Sequence, residues 1–553
     1  MNALRSICAV CNENDKAGDG SKQDEVSMKV LVSDNLGEAG IRMFEEEDGL
    51  RVDVKTGLSP EELEGIIGEY HALVIRSATK VTESLLNKAK QLKVIGRAGI
   101  GLDNVDIPAA TKRGIIVMNT PGGNVVTTAE HTIALMLSLT RNIPSGTTTM
   151  KDGLWEKKKL QGREIYNKIL GVIGFGKIGS IVADRARGLR MRVVVYDPIV
   201  TPEQIEKAGF ESVSLDELYG RADYITVHVP KLKSTIGLLD KAAFAKMKDG
   251  AMVINCARGG IVNEADLYEA ITSGKLAGAA LDVFEQEPPE ASPLFELDRV
   301  VCTPHLGAST REAQTNVAVA VADQIIDCLK NGTVVNAVNM PSVTGDLLKK
   351  MGPLLSLGEK MGCLQAQLIC GPIGEVVIEY LGDFQDLDMT PVSTSFMKGL
   401  MTPMVKDDVN FVNAKVLAKE MGIKITESAS AESEHYLNLV TVRVRSTEMT
   451  STVSGTIFGK QDPRIVKIDK FRLEMVPSGH MLLINNIDRP GSIGEIGTTL
   501  GNNKINIGRM QVGQEEEGDR NIIFIQTDTR ISDEVMAAVR DLGSVKTAIA
   551  LEF

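Results

Sequence analysis

Ile169-Leu-Gly-Val-Ile-Gly174-Phe-Gly176-Lys-Ile-Gly179 decides the fold of the central part of the chain. An unbroken apolar run enters three glycines at GxGxxG spacing, and the next apolar run, Val193–Tyr196, ends in Asp197. Each glycine has its own task. Gly174 permits a tight strand-to-helix turn, Gly176 admits a ligand to the backbone, and Gly179 lets the helix lie close on the sheet. The unpaired amides at the helix start then favour a pyrophosphate. Phe175, Lys177 and Ile178 complete the binding segment. Asp197 would accept hydrogen bonds from ribose hydroxyls and repel a 2′-phosphate, so the expected cofactor is NAD rather than NADP.

Further apolar runs follow at Tyr224–Val229, Met252–Cys256, Ala279–Val283 and Val300–Cys302, with helical patterns between most of them. Runs of this kind mark strands buried on both faces, and a doubly wound, Rossmann-type α/β sheet accounts for the series. Upstream, Met28–Ser33, His71–Ile75, Val94-Ile95 and Ile115–Met118 alternate with helical segments. Ser59-Pro60-Glu61-Glu62 opens one of these segments as a capping box. The βαβα rhythm predicts a second parallel sheet, of flavodoxin-like type. A helix over Val126–Leu139 joins the two series, and one over Ser309–Leu329 carries the chain back towards the first. Beyond Asn331-Gly332 an α+β module is expected, with a helix over Val409–Met421 and a strand at Val440–Val444. The end of the chain reads strand, helix, strand, strand, helix, strand. That βαββαβ order is ferredoxin-like.

The 553 residues exceed one core, so roughly three or four domains are expected. A net charge of −12 excludes a broad nucleic-acid or anionic-membrane footprint but leaves room for a few arginines in one cleft. The seven cysteines form no disulfide framework, which points to a reducing cytoplasm. Cys8 and Cys11 lack a second pair or a nearby histidine, so no metal site is expected. No run approaches the ~20 apolar residues of a membrane span. Residues 1–27 lack the apolar core of a signal peptide and read as a disordered leader or as the product of a start upstream of Met28.

Three segments at strand ends carry the chemistry: Asn255-Cys-Ala-Arg258-Gly-Gly, Leu281-Asp282-Val-Phe-Glu-Gln-Glu287 and Thr303-Pro-His305-Leu-Gly-Ala-Ser-Thr. Carboxyl ends of parallel strands are where open α/β sheets bind ligands. Hydride transfer from a 2-hydroxyacid needs a base for the hydroxyl proton and a cation for the carboxylate. An imidazole titrates near neutrality and serves as base or acid. A carboxylate on its far nitrogen fixes the tautomer, and an arginine fork suits a carboxylate. His131 and His228 read as structural.

In order and spacing these segments resemble the D-2-hydroxyacid dehydrogenase family, and the resemblance runs from Met28 to the end. Asn119-Thr-Pro-Gly-Gly-Asn124, Asn255–Ile261 and Thr303–Thr310 are similar to its branch that oxidises 3-phospho-D-glycerate to 3-phosphohydroxypyruvate, the first step of L-serine biosynthesis. The resemblance implies Arg258, Glu287 and His305 as catalytic residues, Asp282 among the cofactor-binding ones, and a phosphorylated 2-hydroxyacid as substrate. It implies Arg76 and Arg97 near the phosphate, Gly99 and Ile100 offering amides to the carboxylate, and Arg141 reaching a partner subunit in a homodimer or homotetramer. Residues 28–125 and 307–335 would form the discontinuous substrate domain and 126–306 the NAD domain. Residues 336–477 would be an intervening domain and 478–553 an ACT domain. There L-serine would be the effector, held by Asn486, Asp488 and Asn506, with amides near Gly491 and Ser492 for its carboxylate. A glyoxylate or hydroxypyruvate reductase of the same family and an NAD-sensing corepressor are the alternatives. The ACT-like tail and arginines count against the first, the complete Arg258, Glu287 and His305 set against the second.

Overall fold

The computed structural model describes residues 27–341, 345–384, 387–405, 408–433, 436–515 and 520–553. The leader expected over 1–27, with Cys8 and Cys11, lies outside them apart from Ser27. Two compact units divide the chain. One holds the N-terminal segment to Leu36, Gly40–Asn119 and Val321–Phe553; the other holds Gly37–Ala39 and Thr120–Ala320.

In the first unit β1 (Met28–Val32), β2 (Leu50–Val54), β3 (Ala72–Ile75), β4 (Val94–Arg97) and β5 (Ile116–Asn119) form a parallel sheet. Its order, β2-β1-β3-β4-β5, is the flavodoxin-like one. β2 has no counterpart among the sequence expectations. It alternates Leu50-Arg51-Val52-Asp53-Val54 on the sheet edge with no fully buried residue, so no apolar run betrays it. Ser59 and Glu62 close the expected capping box, with bonds of 3.2 and 2.8 Å. The helix Arg311–Asn331 brings its second half against β4. A Cβ on Gly96 would lie 2.6 Å from Ile325 Cδ1 and 2.7 Å from Val321 Cγ2, so only glycine admits that approach.

The second unit is built on β6 (Ile169–Ile173), β7 (Arg192–Tyr196), β8 (Glu211–Ser212), β9 (Tyr224–Val227), β10 (Ala251–Asn255), β11 (Leu276–Leu281) and β12 (Val300–Cys302). These parallel strands run β12-β11-β10-β9-β6-β7-β8. Strand order reverses at β6, so the crevice outside the carboxyl ends of β6 and β9 is the ligand position of a doubly wound sheet. The helix Val125–Thr140 packs Leu135, Met136 and Leu139 into the core on one face.

The rest of the first unit is a ten-stranded sheet: β13 (Ile373–Gly382), β14 (Lys424–Ser430), β15 (Asn438–Ser446), β16 (Thr450–Phe458), β17 (Asp462–Ile468), β18 (Phe471–Met475), β19 (His480–Ile487), β20 (Ile507–Glu515), β21 (Arg520–Thr527) and β22 (Val545–Glu552). Its order is β14-β13-β15-β16-β17-β18-β20-β21-β19-β22. The last four strands have the ferredoxin-like arrangement, and β18 pairs with β20, so the intervening and C-terminal modules share one sheet.

In this part of the chain the helices Gly345–Leu368 and Thr390–Met401 escape the sequence reading. The second is buried from Pro391 to Met401, its Ser393, Thr394, Ser395 and Lys398 included, so it has no exposed face and no stripe of solvated residues marks it in the sequence. Glycines set the contact between them: a Cβ on Gly399 would lie 2.0 Å from the Glu359 carbonyl oxygen, and one on Gly362 2.1 Å from that of Phe396. The helix expected over Val409–Met421 is shorter, Ala414–Glu420. Asn410 and Asn413 bond each other's backbone ahead of it, holding a loop where helix was expected.

Candidate active site and effector site

His305 follows β12 with a left-handed backbone, φ 53°. A side chain with a Cβ is held there only by its surroundings. The His305 amide donates to the carbonyls of Asp282 at 2.9 Å and Thr303 at 3.0 Å, and the ring brings Nδ1 within 2.7 Å of Glu287 Oε2. Glu287 Oε1 accepts from the Phe284 amide at 3.1 Å. Burial pushes the Glu287 carboxyl up, but the bond from His305, the Phe284 amide and the adjacent charges of His305 and Arg258 outweigh it, leaving it below its ordinary range. An ionised carboxylate only accepts, so in the neutral ring Nδ1 carries the proton and Nε2 keeps a lone pair.

Arg258 follows β10. The buried Asn255 shapes its turn, accepting from the Ala257 amide and donating to the Arg258 carbonyl, both at 3.0 Å. Gly259 then meets the Glu287 loop so closely that a Cβ would lie 1.6 Å from the Phe284 carbonyl oxygen. Arg258 and Glu287 are thus fixed by one backbone contact.

The glycine-rich turn opens the helix Lys177–Gly188. Gly174 has φ 95°, and its Cβ would lie 2.7 Å from the His228 carbonyl oxygen; at Gly179 a Cβ would meet the Gly174 carbonyl oxygen at 2.0 Å. At Gly176 it would meet nothing within 4 Å. Two glycines are therefore demanded by the fold, while the third leaves open space over the helix start. The residues fit a pyrophosphate there. Asp197 Oδ2 accepts from the Phe175 amide at 2.6 Å and Oδ1 from Ile199 and Val200 at 2.7 and 2.8 Å, which ties the turn to the end of β7. Burial lowers the His228 imidazole to about 4, so it stays neutral near pH 7.

Asp282, expected among the cofactor-binding residues, is fully buried, and its carboxylate serves the His305 loop. It accepts from Thr303 Oγ1 at 2.6 Å, Leu306 N at 2.7 Å and Gly307 N at 2.8 Å. His131 Nε2 lies 3.1 Å away. His131, which reads as structural from the sequence, finds its partner 151 residues away, and nothing in a helix announces so distant an acceptor.

In the first unit the arginines expected at a phosphate lie at the carboxyl ends of β3 and β4. Arg97 Nε donates to the Arg76 carbonyl at 3.2 Å and its Nη1 to the Gly101 carbonyl. Asn119 holds the Ile100 carbonyl at 2.6 Å, and the buried Asp34 accepts from the Arg76 amide at 2.6 Å. Arg76, Arg97, Gly99 and Ile100 therefore share one sheet edge. Arg141 lies just beyond the helix Val125–Thr140, in a groove of about 500 Å³ with Ile143, Met150 and Leu160.

Residues 133–307 match the D-isomer specific 2-hydroxyacid dehydrogenase NAD-binding domain, 350–469 the D-3-phosphoglycerate dehydrogenase intervening domain, and 480–544 the ACT domain. The chain is 45% identical to the D-3-phosphoglycerate dehydrogenase of Archaeoglobus fulgidus, over 95% of this chain and 100% of that one. The chain belongs to the D-3-phosphoglycerate dehydrogenase family. The Synechocystis enzyme of that name is 41% identical over 95% of this chain and 94% of its own length. A solved D-lactate dehydrogenase from Aquifex aeolicus, complexed with NAD and lactic acid, is 28% identical with a TM-score of 0.50, covering 57% of this chain and 100% of that one. Like its family, this is an NAD-dependent dehydrogenase.

In the family's ACT domain the expected effector residues do not come together within one chain. Asn486 and Asp488 close β19, whereas Asn506 precedes β20. Both strands run antiparallel to β21, with His480 and Ile507 each opposite Thr527. Asn506 therefore stands level with the start of β19, and eight strand residues of about 3.3 Å each separate it from Asp488. Asn486 is fully buried and its Oδ1 accepts nothing from the protein, while Asp488 is exposed. Among the described residues no helix is long and apolar enough to cross a membrane, and no group of acids, histidines and cysteines offers a metal site.

Proposed function

We propose that this dehydrogenase oxidises 3-phospho-D-glycerate to 3-phosphohydroxypyruvate with NAD, in the cytoplasm, using His305 as the base. The observation that carries the reading is the 2.7 Å contact of His305 Nδ1 with an ionised Glu287, which leaves Nε2 to take the hydroxyl proton. Arg258, at the adjoining turn, holds the substrate carboxylate in a bidentate fork. Arg76 and Arg97 take the phosphate, and amides near Gly99 and Ile100 assist the carboxylate. NAD, when bound at Gly174–Gly179 and Asp197, supplies the hydride acceptor. Steady-state turnover with 3-phosphoglycerate against glycerate, lactate and glyoxylate as alternatives tests the assignment. Equal kcat/KM with and without the phosphate would overturn it.

Gly176→Ala separates binding from folding. With φ −74° and nothing within 4 Å of the added Cβ, the variant keeps the melting temperature of the parent. NAD affinity falls about tenfold if the backbone meets the pyrophosphate there, roughly 1.4 kcal/mol. Titration calorimetry with NAD reads it, and unchanged affinity would move the pyrophosphate elsewhere.

L-serine is the proposed effector, held by Asn486, Asp488 and amides near Gly491 of one chain. Because one chain cannot bring Asn506 to Asp488, a second copy of the chain supplies it, in a homodimer or homotetramer. Asp488→Ala and Asn506→Ala each abolish serine binding by calorimetry, and in wild type serine lowers turnover. Coupling of this kind is typically worth ~1–3 kcal/mol. Binding that survives Asn506→Ala would remove the second copy from the site.

A further inference from the structure

The loop bearing His305 is pinned by a buried polar cluster that none of the chemistry above uses. Thr303 Oγ1 and the Leu306 amide both donate to Asp282 Oδ1, at 2.6 and 2.7 Å, and the Gly307 amide donates to Oδ2 at 2.8 Å. The helix Val125–Thr140 reaches the same cluster from the other side, one turn apart on one face. Thr128 Oγ1 donates to the Gly307 carbonyl at 2.9 Å, and His131 Nε2 lies 3.1 Å from Asp282 Oδ1 and 3.2 Å from Thr303 Oγ1. Asp282 is fully buried and Thr128 nearly so. Burial pushes the Asp282 carboxyl up, but the bonds from His131, Thr303 and the Leu306 amide outweigh it, so it is ionised and can only accept. His131 Nε2 must therefore carry a proton and donate.

The consequence falls on His305. With a left-handed φ of 53°, it lies in the chain between Thr303 and Leu306, whose donors share Asp282 Oδ1 with His131. Loss of one donor leaves a buried carboxylate under-satisfied, and the loop can relax to an ordinary backbone that carries the imidazole off Glu287. We propose that His131 is a positioning residue for the reaction: through Asp282 and Thr303 it holds the His305 loop in its strained form, without touching substrate or cofactor. The proposal rests on the reading of His305 as the base.

His131→Leu tests it in the full-length enzyme. A leucine fills the space and removes the donor, whereas His131→Gln returns an N–H at the position of Nε2. The expected result is a kcat at least tenfold lower in His131→Leu, with NAD affinity within twofold of wild type by calorimetry and most of kcat regained in His131→Gln. A purely structural role predicts a lower melting temperature with no rescue, and this outcome would overturn the proposal. So would a kcat within twofold of wild type, or a loss confined to NAD affinity, which would return Asp282 to the cofactor. If His131→Leu does not fold, Thr303→Val and Thr303→Ser repeat the pair from the other donor, with the drop expected only in the valine variant. His305→Ala run alongside separates the two ideas. An inactive His305→Ala with a normal His131→Leu overturns the positioning role alone, while an active His305→Ala overturns the reading beneath it.

Discussion

His305→Ala lowers kcat by about a hundredfold to ten-thousandfold, the range of a lost general base, while NAD still binds with its normal affinity. The size follows from the geometry. Glu287 is ionised and takes the Nδ1 proton at 2.7 Å, so the ring has one nitrogen available to remove the hydroxyl proton, and alanine leaves none. The glycine turn that would hold NAD belongs to β6 and its following helix, whereas His305 follows β12, which is why cofactor affinity is spared. Single-turnover hydride transfer monitored by NADH absorbance separates the two quantities. Glu287→Gln gives a smaller loss, since an amide can orient the ring but stabilises the imidazolium poorly. Equal turnover in wild type and His305→Ala would remove His305 from the chemistry.

Gly259→Ala is the second large effect, and it arises without touching a reacting group. The added Cβ would lie 1.6 Å from the Phe284 carbonyl oxygen and 2.1 Å from its carbon, both backbone atoms that no rotamer change can move. One of the two loops must shift, and they carry Arg258 and Glu287. Overpacking of this kind costs about 1–3 kcal/mol, visible as a lower melting temperature. The kinetic loss is larger, because a displacement near 1 Å at the reacting centre costs on the order of a hundredfold. Gly176→Ala is the internal contrast: the same substitution, open space, and an unchanged melting temperature. If Gly259→Ala retains wild-type kcat and stability, the two loops are not in contact in solution.

Much of this was readable along the chain because the signals are local. A glycine fingerprint after an apolar run, with an acid after the next run, reports a turn, a helix start and a strand end that lie within thirty residues of one another. The strands β6, β9 and β10 could be placed to within two residues for the same reason, since burial on both faces leaves unbroken apolar runs. Where burial is partial or total in the wrong sense, the signal fades. β2 is an edge strand with alternating charges, and the helix Thr390–Met401 is surrounded on all sides, so neither shows the period that marks its type.

By itself, then, the sequence determined the alternation of parallel strands and helices and the dinucleotide turn, and it brought forward Arg258, Glu287 and His305 as the candidate set. Those conclusions rest on residue type and short spacing. Only the tertiary structure decided how the set is supported and which residues meet. The register of β19 and β20 against β21 puts Asn506 and Asp488 at opposite ends of one sheet, and a hydrogen-bond ladder between strands far apart in sequence leaves no trace in either segment alone. The convergence of His131, Thr303 and Asp282 under the His305 loop has the same origin. Three side chains of unremarkable context become a unit because a helix, a strand end and a turn pack together, and burial then obliges each donor to find its acceptor.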